Sequence, residues 1–324
     1  MKTLFLGGLA ARVAPRILGK MTEKCDATVL ADLTDMQQLI PALAEAEIVV
    51  GHIWRKEFPV APRLKLLQAA TAGIDMIDVP ALLRGITVCN VFGHETAIAE
   101  YVLMTMLALT HRLLETVAEF RAGSWAAHQP AGGLPHGEIS GKTIGVVGYG
   151  RIGREVAHRA VAFGCKVLAA NRSPVADKEQ ALEIYPLAEL DRMLPQCDTV
   201  LIAAGLGPET RGLIDARRLA LMKPDALLVN IGRAAIVEEA ALYDALLSKR
   251  IGGAALDVWW QHWDAAKPDR RPSRFPFHEL PNVIMTPHCS GFTEGTADRR
   301  WSELAGNLDR YLRGELLINV VLRT

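Results

Sequence analysis

The residues best placed for chemistry stand in "TIGVVGYGRIG", where Gly148, Tyr149, Gly150, Arg151, Ile152 and Gly153 spell a G-x-G-x-x-G pattern. Glycine clusters also mark ordinary turns, so the pattern alone is weak. Its context strengthens it: the β-rich run "TIGVV" leads straight in and the helical pattern "RIGREVAHRAVAFG" leads out. Such a turn lets the backbone approach a pyrophosphate, packs the helix close to the strand and aims the helix N-terminus at the phosphates. The next strand ends at Ala170, and the ribose-reading position falls on Asn171, followed by Arg172 and Ser173. An Asp or Glu there would accept from both ribose hydroxyls and repel a 2′-phosphate; Asn removes the repulsion, and Arg172 and Ser173 can pair with phosphate. NADP(H) is the expected cofactor. NAD(H) is the alternative, in which Arg172 only stacks on the adenine.

These groups need a scaffold. Short β-rich runs alternate with helical patterns along the chain, the signature of an α/β fold with parallel sheets covered by helices. "TLFLGG", "ATVL", "AEIVVGH", "LKLLQAA" and "ITVCNV" make one small sheet. "TIGVVG", "KVLAA", "DTVLIAA", "ALLVNI", "GAALDV" and "NVIMTP" make a second, apolar enough to be buried on both faces. Between them "HETAIAEYVLMTMLALTHRLLETVAEF" has helical spacing and neither Gly nor Pro, which predicts one long helix. The stretch "GTADRRWSELAGNLDRYLRGELLINVVL" is expected to return as a helix to the first domain. The expected domains are residues 1–96 with 292–324, discontinuous, and a dinucleotide-binding domain of residues 97–291.

Composition narrows the function classes. With 324 residues, 50% hydrophobic, the chain is long enough for two well-buried cores. Its 36 basic and 36 acidic residues balance, giving no electrostatic reason to expect nucleic acid or an anionic membrane as partner. The N-terminal apolar run is broken by Gly and Arg before it takes signal-peptide form, and no apolar run approaches the ~20 residues of a spanning helix. Cys25, Cys89, Cys165, Cys197 and Cys289 are scattered and never spaced C-x-x-C. The expectation is a reducing cytoplasm, without structural disulfides or a metal site.

Taken in order, "AATAGIDMID" (69–78), "AIAEYVLMTMLAL" (97–109), "ISGKTIGVVGYGRIG" (139–153), "PETRGLI" (208–214), "LLVNIGRAAIVEEAAL" (227–242), "GGAALDV" (252–258) and "LPNVIMTPHCSG" (280–291) resemble the D-isomer-specific 2-hydroxyacid dehydrogenases over most of the chain. The resemblance implies two Rossmann-like domains, each a doubly wound parallel sheet, with a cleft between them. It also implies hydride transfer between a nicotinamide and a small 2-oxo/2-hydroxy acid such as glyoxylate or hydroxypyruvate, and a homodimer formed through the nucleotide-binding domain. Arg233 matches the Arg that grips the substrate carboxylate, a task suited to a fixed bidentate cation; the alternative is a helix-start Arg pairing with Glu238 or Glu239. Ala234 follows it where the family usually has Gly, a change that could tilt the loop. His288 matches the general acid–base, whose pKa suits proton traffic in both directions. Ala72 and Gly73 match the loop whose N–H groups receive the carboxylate, against the plain alternative of a Gly turn. Ile231, Gly232, Asp257, Ser290 and Gly291 complete the cofactor positions.

One position departs from the pattern. A Glu usually follows the "LDV" strand by five residues and raises the pKa of the catalytic His. Counting from Asp257 through "DVWWQHW" lands instead on His262. This drifts toward formate dehydrogenases, which carry "DVW" and a Gln, yet His94 stands where those enzymes have a formate-binding Asn. Either Gln261 or His262 orients His288 by a neutral hydrogen bond, or "WWQHW" (259–263) is an aromatic loop packed at an interface. His52 and Trp54 are expected near the substrate side chain or packed at the surface, and residues 123–138 as a loop near the dimer interface or the cleft rim. A dinucleotide-binding co-repressor or sensor with little catalysis is the reading from a different class.

Overall fold

The computed structural model describes residues 1–175, 180–262, 267 and 269–324. The chain divides into two compact units, residues 1–94 with 293–324, and residues 95–292. The first opens with β1 (Lys2–Leu6), α1 (Gly8–Leu18), β2 (Asp26–Leu30), α2 (Met36–Glu45), β3 (Ile48–Gly51), β4 (Leu66–Ala69) and β5 (Thr87–Cys89). The second begins with α3 (Glu95–Thr110) and α4 (Leu113–Arg121), then β6 (Thr143–Val147), α5 (Arg151–Ala162), β7 (Lys166–Asn171) and β8 (Glu183–Pro186). It continues with α6 (Leu190–Met193), β9 (Thr199–Ile202), α7 (Ala216–Leu221), β10 (Leu227–Asn230), α8 (Glu239–Leu247), β11 (Gly253–Leu256) and β12 (Val283–Met285). The helix α9 (Glu294–Leu312) and the strand β13 (Val320–Arg323) rejoin the first unit.

Each unit is built on its own sheet, in the order β13-β5-β4-β3-β1-β2 in the first and β12-β11-β10-β9-β6-β7-β8 in the second. The second is parallel throughout. The first is parallel except for β13, which pairs antiparallel with β5. Sequence spacing alone carries the returning helix on through "LLINVVL"; Gly314 (φ 72°) and left-handed Asn319 (φ 53°) stop the helix and turn the chain into a strand. Apolar strands with both faces covered give the cores. In the first unit Ile17 of α1 shares a buried cluster with Trp301, Leu304 and Leu308 of α9; in the second Val102 and Met106 of α3 share one with Val146 and Val156.

The expected single long helix is two. Arg112, in the left-handed region at φ 50°, separates α3 from α4, and their axes bend by 60°. Arg112 forks onto Glu115 (Nε to Oε2 2.8 Å, Nη2 to Oε1 2.6 Å), and the Gly137 N–H reaches the Thr110 carbonyl at 3.2 Å, so the broken end is satisfied by loop groups a sequence pattern does not show. Among the described residues no single helix is long and apolar enough to cross a membrane. Trp54 is also corrected: it is buried in the first unit's core, edge-on to Phe58, and not at a surface. Residues 123–138 form a largely exposed loop with one short turn at Gln129–Ala131.

Candidate active site

In the second unit the strand order reverses at β6, which lies between β9 and β7. Open α/β sheets bind ligands outside the carboxyl ends of strands at such a point. A cavity of about 350 Å³ lies there, walled by Gly148 and Gly150, by Asn171, Arg172 and Ser173 at the end of β7, and by residues 203–207 after β9. Gly148 has φ 98°, and a Cβ on it would lie 2.6 Å from the Ala204 nitrogen. A Cβ on Gly153 would lie 2.4 Å from the Gly148 carbonyl oxygen, so this glycine sets the close approach of α5 to β6. A Cβ on Gly150 would meet nothing within 4 Å. The three glycines therefore divide their work between packing and an open approach to the uncapped start of α5, the arrangement a pyrophosphate needs. The residues fit a dinucleotide.

The rest of the fingerprint falls into place around them. Tyr149 is buried and Ile152 packs on the same core, while Arg151 is exposed. The Asn171 side chain is committed to backbone: its Oδ1 accepts the Tyr149 N–H at 3.1 Å and its Nδ2 donates to the Ser173 carbonyl at 2.8 Å. It ties the glycine turn to the turn after β7. Arg172 and Ser173 remain at the rim, and Arg172 Nη1 lies 3.4 Å from Glu209 Oε1.

A second group gathers at the carboxyl ends of β10, β11 and β12. Arg233 follows β10 in extended backbone (φ −138°) and is half-buried; its Nη1 donates to the Gly232 carbonyl at 2.9 Å. The fully buried Asn230 holds this turn, accepting from the Gly232 N–H at 3.1 Å and donating to the Arg233 carbonyl at 3.3 Å. Sequence reasoning passed over Asn230, although an amide closing the apolar run "ALLVN" is the kind of buried polar residue that requires partners. Ile231 is buried beside it, and Ala234 opens a short 3₁₀ turn (Ala234–Ile236), so a Cβ is accommodated at that position. Glu239, one of the two alternative partners for Arg233, is spoken for by Ser273 (2.9 Å) and Arg274 (2.8 Å).

His288 stands in the left-handed region, φ 56°, at the end of the turn after β12. A non-glycine residue there is strained, and strain of this kind persists only where its surroundings enforce it. The enforcer is Asp257, fully buried after β11: its Oδ1 accepts the Thr286 hydroxyl (2.6 Å) and the Cys289 N–H (2.9 Å), and its Oδ2 accepts the Ser290 N–H (3.0 Å). Gly291 continues the turn. Desolvation pushes the His288 pKa below its ordinary value; Asp257 pulls it up, and Arg233 and His262 push it down. These four residues thus form one electrostatic neighbourhood. Asp257 is the carboxylate that acts on His288, a relationship that residue spacing alone does not show. Gln261 is turned elsewhere, its Oε1 accepting from Arg270 Nε at 2.8 Å. Trp259 and Trp260 anchor to the Thr286 and Val237 carbonyls; Trp263 lies outside the described residues.

In the first unit, the loop after β4 has its carbonyls held, Ala72 by Asn90 Nδ2 at 2.7 Å and Gly73 by the Thr71 hydroxyl at 2.8 Å. Their N–H groups make no hydrogen bond to the described residues. His94 stacks parallel to Phe92, ring centroids 6.4 Å apart. Burial lowers the pKa of His52.

Comparison with known proteins identifies the family. A family model described as D-isomer specific 2-hydroxyacid dehydrogenase, NAD binding domain, matches residues 103–290. The chain is 36% identical to a glyoxylate reductase of Thermococcus gammatolerans over 296 residues, 89% of this chain and 83% of that one. It is 36% identical to a mitochondrial formate dehydrogenase 2 of Oryza sativa subsp. japonica, over 82% of this chain and 68% of the other. Among solved structures, an acyclic imino acid reductase, Bsp5, in complex with NADPH and D-Arg superposes with a TM-score of 0.81 at 28% identity, covering 99% of this chain and 100% of that one.

Proposed function

Because the chain belongs to the D-isomer specific 2-hydroxyacid dehydrogenase family, NAD(P)-dependent oxidoreductases of the CH–OH group, we propose that it is an NADP(H)-preferring reductase of a small 2-oxo acid such as glyoxylate or hydroxypyruvate. The observation that carries the cofactor preference is the cavity rim, where an amide, Asn171, replaces the ribose-binding carboxylate and Arg172 and Ser173 flank it. Bsp5 is a relative seen with NADPH. The glyoxylate reductase supports the substrate class.

The cofactor supplies or accepts the hydride. The Arg233 guanidinium holds the substrate carboxylate and the negative charge that builds on the carbonyl oxygen. Protonated His288 gives its proton to that oxygen during reduction and, as neutral imidazole, takes it back during oxidation. Asp257 and His262 set the electrostatic surroundings of His288. Ala72 and Gly73 offer backbone N–H groups to a carboxylate, and His94 is a substrate neighbour. The fingerprint residues Gly148 to Gly153, with Ile231, Gly232, Ser290 and Gly291, hold the cofactor.

We further read the assembly as a homodimer through the nucleotide-binding unit. The helix α4 buries none of its own residues, and Leu113, Leu114, Val117 and Phe120 on it, with Trp125 beyond it, are exposed, an apolar patch of the kind that marks an interface. The five unpaired cysteines support a reducing cytoplasm. The reading as a binding protein without catalysis gains nothing from the relatives, which are named as oxidoreductases.

The test is consumption of NADPH and NADH by the purified protein with glyoxylate and with hydroxypyruvate, followed by nicotinamide absorbance. Faster consumption of NADPH is expected; faster consumption of NADH would overturn the cofactor preference, and no turnover of either acid would overturn the substrate class.

A further inference from the structure

Resting on the NADP(H) reading, we propose that Glu209 is a specificity-determining residue, which competes with a 2′-phosphate for Arg172 and so limits how far the cavity favours NADP(H) over NAD(H). Arg172 stands on the turn after β7 and Glu209 on the loop after β9, and the two meet across the rim, Nη1 to Oε1 3.4 Å. Reading the ribose position alone suggests that no carboxylate opposes a phosphate here. The fold brings one in from the other wall.

Glu209 is held in place by its loop. The Thr210 hydroxyl accepts the Gly207 N–H at 2.7 Å and donates to the Gly205 carbonyl at 2.8 Å, and the Arg211 N–H closes on the Gly207 carbonyl at 3.0 Å. The carboxylate folds back over this turn: a Cβ on Gly207 would lie 3.3 Å from Glu209 Oε2. Its own backbone N–H, and then Arg172, keep the Glu209 carboxyl below its usual pKa, so it is charged at neutral pH.

The two cofactors differ in what they ask of this pair. A 2′-phosphate takes the guanidinium fork for itself, so it must break the Arg172–Glu209 contact and then lie near a like charge. A 2′-hydroxyl needs no release of Arg172 and is not repelled by the Glu209 carboxylate. The pair is solvated, with side-chain exposures of 71% for Arg172 and 44% for Glu209, so breaking it is affordable and the effect is a tuning one.

The experiment is a fluorescence titration of the purified full chain with NADPH and with NADH, for wild type, Glu209→Gln and Arg172→Ala, at low and high salt. Circular dichroism checks that both surface variants are folded. Glu209→Gln is expected to tighten NADPH roughly fivefold relative to NADH, the size of an exposed ion pair, and the gain should shrink at high salt. If Glu209→Gln leaves the NADPH-to-NADH ratio unchanged or lowers it, while Arg172→Ala weakens NADPH, the inference fails and the NADP(H) reading stands. If Arg172→Ala does not weaken NADPH, the NADP(H) reading itself fails, and the inference with it.

Discussion

The Thr286 hydroxyl donates to Asp257 Oδ1 at 2.6 Å, and the Tyr101 phenol stands 2.6 Å from that same hydroxyl. With its one proton engaged by the carboxylate, Thr286 accepts from Tyr101, so the three form a directed chain ending on a fully buried charge. Thr286→Val removes the middle link and leaves Asp257 one donor short. A loss of about 1–3 kcal/mol is expected, read from urea unfolding. A stability equal to wild type would show that the chain does not support the His288 turn.

The pH dependence follows from the sign of the His288 shift. Desolvation, with Arg233 and His262 nearby, lowers its pKa and Asp257 only partly restores it. Reduction needs the protonated form, so kcat/KM for reduction should be full in acid and fall as pH rises through a midpoint below the usual histidine value of about 6.5. Oxidation should rise over the same range. Asp257→Asn removes the one charge that raises the pKa and should move the limb further to acid. A reductive limb above about pH 8 would contradict the assignment.

Glycine substitutions separate folding from binding. Gly148→Ala places a methyl 2.6 Å from the Ala204 nitrogen at a positive φ, and should lower stability by about 1–3 kcal/mol, visible as a lower Tm. Gly150→Ala meets nothing within 4 Å, so the free protein should melt as wild type while NADPH titration shows weakened binding. Unchanged NADPH affinity in Gly150→Ala would remove the pyrophosphate from the start of α5.

How much of this was legible in the sequence depends on how local the cause is. The strands before the glycine turn and before Arg233 announce themselves as apolar runs, and the glycines as a spacing. The break at Arg112 does not, because it rests on a fork to Glu115 and on the Gly137 N–H from a distant loop. β8, "EIYP", is short and mixed in polarity, and is a strand because β7 offers it an edge. Asp257 was readable as a cofactor-side residue; its grip on the two amides that follow His288 joins positions more than thirty residues apart and exists only once β11 and β12 are side by side.

Arg233→Lys should be costly despite keeping the charge. An ammonium cannot reproduce the bidentate fork, and a loss of about 10²-fold or more in kcat/KM for the 2-oxo acid is expected, with little change in NADPH affinity. A Lys variant within about threefold of wild type would take Arg233 out of the substrate site.

For the α4 patch, Leu114→Asp with Phe120→Asp places two charges on side chains that are 58% and 56% exposed. Neither change disturbs a buried core, so with the dimer proposed above the wild type should sediment as a dimer and the double variant as a folded monomer. A wild type that sediments as a monomer would refute the dimer, and a double variant that stays dimeric would move the interface elsewhere.

The antiparallel pairing of β13 with β5 also imposes a timetable. Residues 95–292 are made between the two parts of the first unit, so the first part waits through their synthesis with an unpaired strand edge and a bare apolar face. At ordinary translation speeds that interval lasts roughly 10–40 s. During it the open edge of β5 is a template for a wrong strand, and the first half of the nascent chain is the stretch most dependent on shelter until its own tail arrives to close it.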